Sequence, residues 1–406
     1  MRITMLLRNT FTRDARVLKE ARSLAAAGHD VTVLAVQAGS LPREEVVNGF
    51  RVLRAVEAQA WMGPTILGTG AEGPAVVAGA RGIPGGRLGT FAHRFARPPA
   101  AVIARDVALE RMFRQAARTV PSDVLHAHDL NTLGAAASVA RERDVPLVYD
   151  AHELYPDLTG LSPLERRRWS AQEERLIRDA AVVIAPTFAR AEVLATRYEI
   201  PLPTVVMNCP DPPPDGLDDD RLEALRRPGE RLAVYAGGFT PNRGLANLIV
   251  AAGLLETVRL ALLGWGPLEE ELRALAAPYG DQIVFVGSVE PDLVVPACRH
   301  ADIGIVSYEP IGLNNELAAP NKLFEYLHAG LAIAGSDLPD VRRVVEAHEV
   351  GVTFDAGSPA SIRAALERLG SEDLTEMRRQ ARAAAPAYTW AAQAETLLAL
   401  YAGLGA

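Results

Sequence analysis

Leu232-Ala233-Val234-Tyr235-Ala236-Gly237-Gly238-Phe239-Thr240-Pro241-Asn242-Arg243-Gly244 opens on five apolar residues and closes on a turn rich in Gly, Pro and Asn. A short apolar run that ends in such a turn and leads into a helical pattern is a strand feeding a helix, the repeating unit of a parallel sheet. Glycines at the strand end let the backbone approach a ligand. Arg243, at the helix start, can pair with a phosphate through its planar fork. One Gly-Gly turn alone often does no more than connect elements.

Two further turns of the same kind follow, Gly264-Trp265-Gly266-Pro267 and Gly287-Ser288-Val289. Beyond them stands Pro320-Asn321-Lys322-Leu323-Phe324-Glu325-Tyr326-Leu327-His328-Ala329-Gly330. Pro320 suits a first turn, Leu323, Phe324 and Leu327 make an apolar stripe, and Gly330 ends the helix. Lys322 and Lys19 are the chain's two lysines among 42 basic residues. In a sequence that otherwise writes Arg, as GC-rich genomes do, a retained Lys implies a need for a compact ammonium. A cation and free N–H groups at a helix start form an anion site; the other reading is an amphipathic core helix with an incidental Lys. Three glycine turns and this run converge on one rim of one sheet, which suggests a nucleoside diphosphate held without a metal cage. Glu325, one turn beyond Lys322, is placed to accept from a ribose diol, or else pairs locally with Lys322. Glu309-Pro310-Ile311-Gly312-Leu313-Asn314-Asn315-Glu316 offers acids and amides for sugar hydroxyls, or is an ordinary polar loop.

Outward from this stretch, apolar runs alternate with amphipathic helices along the whole chain. Strands are expected at Arg2–Leu7, Val31–Val36, Val124–Ala127, Leu147–Tyr149, Val182–Ala185 and Thr204–Met207. A second series is expected at Leu232–Ala236, Arg259–Leu263, Ile283–Val286, Ile303–Val306, Leu331–Ala334 and Gly351–Phe354. The fold class is therefore α/β, with two Rossmann-like parallel-sheet domains facing an interdomain cleft. The N-terminal domain is expected at residues 1–207, completed by a helix at 388–406. The breaker-rich 208–216 is the linker, and 217–387 the second domain. Between Trp61 and Pro99 the sequence is dense in Gly, Pro and Ala, either a mobile acceptor loop or a surface insertion.

A length of 406 residues suits two cores. No apolar run reaches the ~18 residues of a membrane span, and Met1–Leu7 runs into a strand without a signal-peptide layout, so a cytoplasmic location is expected. Cys209 and Cys298 lack metal-ligand spacing and read as free thiols. A formal charge of −8 argues against nucleic acid as a partner. Between Arg51 and Arg118, however, ten Arg face four acids. That excess suits an anionic acceptor or weak contact with a membrane surface, or is a solvated helix face.

In the first half, His126-Ala127-His128-Asp129 and Asp150-Ala151-His152-Glu153-Leu154-Tyr155 each leave a strand at its C-terminal end, where α/β active sites are built. Their spacing matches no zinc motif, and no metal site is expected. His128 is the preferred site residue and His126 the structural one. In the loop Arg8-Asn9-Thr10-Phe11-Thr12-Arg13-Asp14-Ala15-Arg16, Arg8, Arg13 or Arg16 can meet an anionic acceptor, and Asp14 caps the helix.

These residues together resemble the GT-B-fold retaining glycosyltransferases of family 4. The resemblance rests on Asp14-Ala15-Arg16-Val17 with Gly28-His29-Asp30-Val31, on the two histidine motifs, on Asn242-Arg243-Gly244 and on Pro320 to Tyr326. It implies transfer of a hexose, UDP- or GDP-linked, with retention and no metal, to a small-molecule, glycan or lipid-linked acceptor. No cofactor beyond the nucleotide-sugar donor is implied. Catalytic roles fall to His128, Arg243 and Lys322, and donor binding to Gly237, Gly238, Gly264, Val289, Glu316, Asn321 and Glu325. Acceptor binding falls to Arg8, Asp14, Arg16, His152, Glu153 and Tyr155. Two positions depart from the family. Its basic pair is Arg then Lys five residues on, here Gly238 and Arg243, with Lys322 a candidate for the missing charge. Its first paired glutamate, eight residues before Glu325, is here Leu317, with Glu316 and Glu309 close by. A nucleotide-sugar 2-epimerase or a non-catalytic nucleotide-sugar-binding subunit are the rival readings.

Overall fold

The protein is described by a computed structural model over residues 1–12, 14–57, 99–214 and 216–405. Arg13 and most of the Trp61–Pro99 stretch, the expected acceptor loop or insertion, lie outside the described residues.

Contacts divide the chain into two compact units. The first is Met1–Ala185, Ala191–Thr204 and Thr396–Ala406; the second is Pro186–Arg190 and Val205–Glu395. In the first, β1 (Arg2–Leu6), β2 (Asp30–Gln37), β3 (Glu44–Val47), β4 (Phe50–Glu57), β5 (Val124–His128), β6 (Leu147–Asp150), β7 (Val182–Ala185) and β8 (Thr204–Val205) form one sheet. Its order is β3-β4-β2-β1-β5-β6-β7-β8. In the second unit, β9 (Arg231–Ala236), β10 (Val258–Leu263), β11 (Ile283–Gly287), β12 (Ile303–Val306), β13 (Ala332–Ser336) and β14 (Gly351–Phe354) run in the order β11-β10-β9-β12-β13-β14. Both are doubly wound α/β units. The strand order reverses between β1 and β5 in one and between β9 and β12 in the other, and ligands of such sheets bind beyond the C-terminal strand ends at that point.

The second sheet is buried on both faces, which is why its strands read as unbroken apolar runs. Leu232, Val234 and Ala236 pack on one side with Leu323, Phe324 and Leu327 of the helix Asn321–Ala329. Ala233 and Tyr235 pack on the other, with Leu248 and Ile249 of the helix Leu245–Ala252.

Two departures from expectation have local causes. No strand was expected between Val36 and Val124, yet β3 and β4 form an antiparallel hairpin with Val47 opposite Phe50. Asn48 and Gly49 between them both have positive φ, 47° and 87°, as a tight primed turn requires. The second is β8, expected to reach Met207. It stops at Val205, and the Met207 N–H donates to Gln393 Oε1 at 2.9 Å.

Candidate active site

The loop after β1 and the ends of β5 and β6 meet at the reversal point of the first sheet. Asp14 Oδ1 accepts from the Val17 N–H at 3.1 Å and so caps the helix Ala15–Ala26. That cap turns Arg16, Val17, Glu20, Ala21 and Leu24 inward. Arg16 therefore points away from solvent. Its Nη2 donates to Asp150 Oδ1 at 2.9 Å and Oδ2 at 3.0 Å, and its Nε lies 3.0 Å from Glu20 Oε1.

His152 Nε2 lies 2.9 Å from Asp150 Oδ2 and 3.2 Å from His128 Nδ1. His128 stacks on His126 with ring centroids 4.2 Å apart, and His126 Nδ1 meets the Tyr401 hydroxyl at 2.7 Å. His126 and His128 are both fully buried. Thr132 Oγ1 donates to the His128 carbonyl at 2.7 Å, and Asp129 takes a positive φ of 63°, rare for a residue with a side chain. Strain of this kind is held where a loop must aim a group, and here it starts the helix Leu130–Arg143 directly after the histidine.

The buried charges split this cluster electrically. Burial, with Asp150 nearby, pushes the Glu20 carboxyl up to about 8. Against the effect of burial, Asp150 and Asp129 raise His152 to about 10. Burial opposes ionisation of Asp150 too, but the Arg16 and His152 charges outweigh it and hold the carboxyl well below its usual range. Burial and the neighbouring histidine push His126 far down, and burial lowers His128, so both rings are neutral.

Glu20, His126, His128 and Asp150 bring one ligand atom each within 4.8 Å of one another, a grouping that could hold a metal ion. The Arg16 guanidinium is already bound to both of those carboxylates, and a second, divalent cation beside it would meet like-charge repulsion.

In the second unit, Lys322 is buried, and its Nζ lies 3.6 Å from the centroid of the Tyr235 ring and 5.6 Å from that of Tyr308. Arg243 stacks on Tyr308, its Cζ 3.9 Å from the ring centroid. Tyr308 thus has two cations within about 6 Å of its ring centroid. A Cβ built on Gly237 would stand 2.9 Å from Lys322 Nζ, and one on Gly264 would overlap the Gly237 carbonyl. Gly237 and Gly264 also have φ of 144° and 153°, so both turns need glycine. The Gly237 N–H donates to Leu263 O and the Gly264 N–H to Gly287 O, which ties the three turns into one ledge. The Glu309 N–H donates to Asn242 O at 3.0 Å and brings the acidic loop against the Arg243 turn.

The sequence model of Glycosyltransferase Family 4 matches residues 15–212, and that of Glycosyl transferases group 1 matches residues 230–372. The chain belongs to glycosyltransferase family 4. An uncharacterized glycosyltransferase of Bacillus subtilis, YqgM, is 26% identical over 202 residues, 47% of this chain and 54% of that protein. The chain thus spans about half the length of that relative. A phosphatidyl-myo-inositol mannosyltransferase of Mycobacterium leprae is 28% identical over 291 residues, 69% of this chain and 73% of its own. Among solved structures, sucrose-phosphate synthase of Thermosynechococcus elongatus aligns over 100% of this chain and 99% of its own, with a TM-score of 0.68 at 17% identity. Anabaena HepE in complex with UDP and glucose aligns over 99% and 100%, with a TM-score of 0.65 at 15% identity. Neither the epimerase nor the non-catalytic subunit is favoured by these matches.

The expected site residues fall into groups. Lys322, Gly237, Gly264 and Arg243 stand together, and Gly238 accepts from the Tyr235 hydroxyl at 3.2 Å. Glu325 lies one turn beyond Lys322 on the same helix. Asn321 and Glu316 are exposed, and Val289 packs partly on the core. Leu317, where the family has glutamate, is buried, and its carbonyl accepts from Thr187 Oγ1 at 3.1 Å. In the first unit Arg16, His152 and His128 are joined through Asp150, Asp14 caps the helix that carries Arg16, and Glu153 lies beside them in sequence. Arg8 is drawn to Asp106 instead, at 2.5 Å, and Tyr155 accepts from Asn131 Nδ2 at 3.4 Å. Sequence reading gave no role to Tyr235 and Tyr308, over whose rings the cations lie, or to Glu20, and it quoted Asp150 in the second histidine motif without pairing it with Arg16. The signal for Glu20 was present, since it shares the buried stripe of its helix with Arg16.

The network fixes how stability varies with pH. Glu20 and His152 both bind protons more tightly when folded. Their stabilisation is complete below their unfolded values, near 4.3 and 6.5, and is lost as pH rises through about 8 and about 10. Asp150 acts the other way, losing its contribution in acid. The melting temperature is expected to peak near pH 5–6 and fall toward pH 9. Glu20→Gln is expected to flatten that alkaline slope, as thermal unfolding across pH will show; an unchanged slope would refute the assignment.

Proposed function

We propose that this glycosyltransferase takes a hexose from UDP or GDP and passes it, with retention, to an acceptor in glycan, glycolipid or natural-product synthesis. The observation that carries the reading is the Lys322 ammonium near Gly237, with both it and Arg243 near the Tyr308 ring, at the strand reversal of the second sheet. Such a ledge is matched to a leaving diphosphate, whose charge grows in the transition state. Glu325 accepts from the ribose, and Gly237, Gly238, Gly264, Val289, Glu316 and Asn321 complete the donor side. The acceptor side is Arg8, Asp14, Arg16, His152, Glu153 and Tyr155, with Arg16 acting through Asp150 rather than by touch. His128, neutral and held by His152, contacts the reacting sugar.

We take the donor reaction to be metal-independent, the cations named here standing in for a metal. Among the described residues no helix is long and apolar enough to cross a membrane. Both cysteines are free and buried, as suits a reducing cytoplasm. The relatives that transfer mannose to phosphatidyl-myo-inositol, by their names, favour a lipid-linked or phosphorylated acceptor here as well.

Calorimetric titration with UDP, GDP, ADP and dTDP in EDTA tests the donor reading. One nucleotide is expected to bind in the micromolar range, with Glu325→Ala weakening it about tenfold, the value of a hydrogen bond to a charged group. Failure of every nucleotide to bind would overturn the reading. His128→Ala is expected to leave nucleotide affinity unchanged and lower transfer about 10- to 100-fold, the cost of a lost polar contact to the reacting sugar.

A further inference from the structure

Asp106, on the helix Pro99–Thr119, is the meeting point of three arginines. Arg8 Nη2 lies 2.5 Å from it, Arg105 Nη2 3.3 Å and Arg168 Nη1 3.7 Å. Arg8 and Asp106 side chains are 6% and 4% exposed, and Arg105 and Arg168 are 13% and 19%. Among the described residues one carboxylate meets three guanidiniums, which leaves a surplus of two positive charges in a largely dry place. The next acid on the helix, Glu110, is turned toward Gly134 and Gln172 instead.

The hydrogen-bond inventory agrees with the charge count. Arg105 Nε, Arg168 Nη1 and Gln172 Nε2 are buried donors without a hydrogen-bond partner among the described residues. Gln172 is one turn after Arg168 on the helix Pro163–Leu176. Buried cations and orphaned donors are costly unless something meets them, and every one of these donors calls for an acceptor. The supporting wall is stiff: Arg168 lies over Trp169 at 4.3 Å, and Tyr155 packs edge-on against the same ring at 4.9 Å. The charges of Arg8 and Asp106 both act on the Tyr155 hydroxyl, and Asn131, which donates to that hydroxyl, follows Asp129 by two residues. The basic cluster therefore borders the histidine network on the acceptor side.

We infer that Arg8, Arg105 and Arg168 form a receptor for a phosphate group carried by the acceptor. The inference rests on the reading of this unit as the acceptor side. A phosphate monoester carries a charge of about −1.5 to −2 at pH 7, which matches the surplus of two, and its oxygens suit planar guanidinium forks. A carboxylate would leave one charge over.

The test uses the full-length protein and glycerol 3-phosphate, with glycerol as the neutral control and phosphatidic acid in phosphatidylcholine vesicles as the lipid source of the same group. Wild type is expected to bind glycerol 3-phosphate or the vesicles but not glycerol. Arg168→Gln and Arg105→Gln are each expected to weaken that binding at least tenfold, and Lys322→Ala to leave it unchanged. Binding of the soluble ester points to a soluble acceptor and binding of vesicles alone to a lipid headgroup; either supports the receptor. Equal binding by the Gln variants, or no binding of either phosphate source by wild type, overturns it. Nucleotide titration of Arg168→Gln keeps the two readings apart: the donor site is expected intact there, and loss of nucleotide binding by wild type would concern the donor reading only. Both Gln variants are expected to melt no lower than wild type without phosphate, since each removes an uncompensated charge.

Discussion

Lys322→Ala is expected to lower kcat/KM by about 10²- to 10³-fold, the loss seen when one preorganised donor to a developing anion is removed, about 3–4 kcal/mol. The ammonium is buried, lies over the Tyr235 ring, and stands 2.9 Å from where a Cβ on Gly237 would be. Little reorganisation is therefore needed as the diphosphate leaves. Lys322→Arg is expected to recover little of the loss, although Arg serves almost everywhere else in this chain. In so buried a place, with Nζ where a Cβ on Gly237 would collide, the larger planar guanidinium is expected to crowd the turn that Gly237 shares with Gly264. Gly237→Ala attacks the same contact from the other side, adding a Cβ 2.9 Å from the ammonium at a φ of 144°. Steady-state kinetics with the donor identified by calorimetry will measure all three. Full activity in Lys322→Arg would show that any cation suffices and would defeat the argument from a compact charge.

The parts of this chain that could be read from residues are those governed by burial. Strands of a parallel sheet covered on both faces leave long apolar runs, so Val182–Ala185, Ile303–Val306 and Gly351–Phe354 are found where expected. The hairpin β3–β4 is different. Phe50, Val52 and Val56 alternate with Arg51 and Glu57, and buried Arg54 breaks the pattern, donating to the Thr10 and Pro42 carbonyls. An Arg-rich stretch that looks like surface charge is there partly internal. The same holds in the site. Sequence gives the type of a charged residue but not its partner, and partners decide function. Arg8 and Arg16 lie eight residues apart and look alike, yet one serves a surplus of positive charge and the other is spent on Asp150 and Glu20. Tyr235 and Tyr308 escaped notice for a related reason: an aromatic at a strand end reads as core, and its use as a seat for a cation appears only when Lys322 and Arg243 are seen above it.

Asp150→Ala is expected to be the most damaging single change to the fold of the first unit. Asp150 is fully buried and receives Arg16 through both of its oxygens while holding His152, which in turn holds His128. Removing it takes from Arg16 its two-oxygen partner and from His152 its nearest carboxylate, in a place where water cannot replace them. Breaking one side of a buried ion pair costs about 3–5 kcal/mol. For a unit of this size that corresponds to a fall in melting temperature of roughly 6–20 °C. Asp150→Asn keeps the volume but not the charge, and is expected to lose most of the same amount. The double replacement Arg16→Met with Asp150→Leu separates an ion-pair effect from a packing effect. If the damage comes from an orphaned guanidinium, removing that guanidinium returns much of the lost stability, and the double variant melts well above Asp150→Ala. If the double variant melts no higher, Asp150 acts by filling space, and the electrostatic account of how His128 is held falls with it.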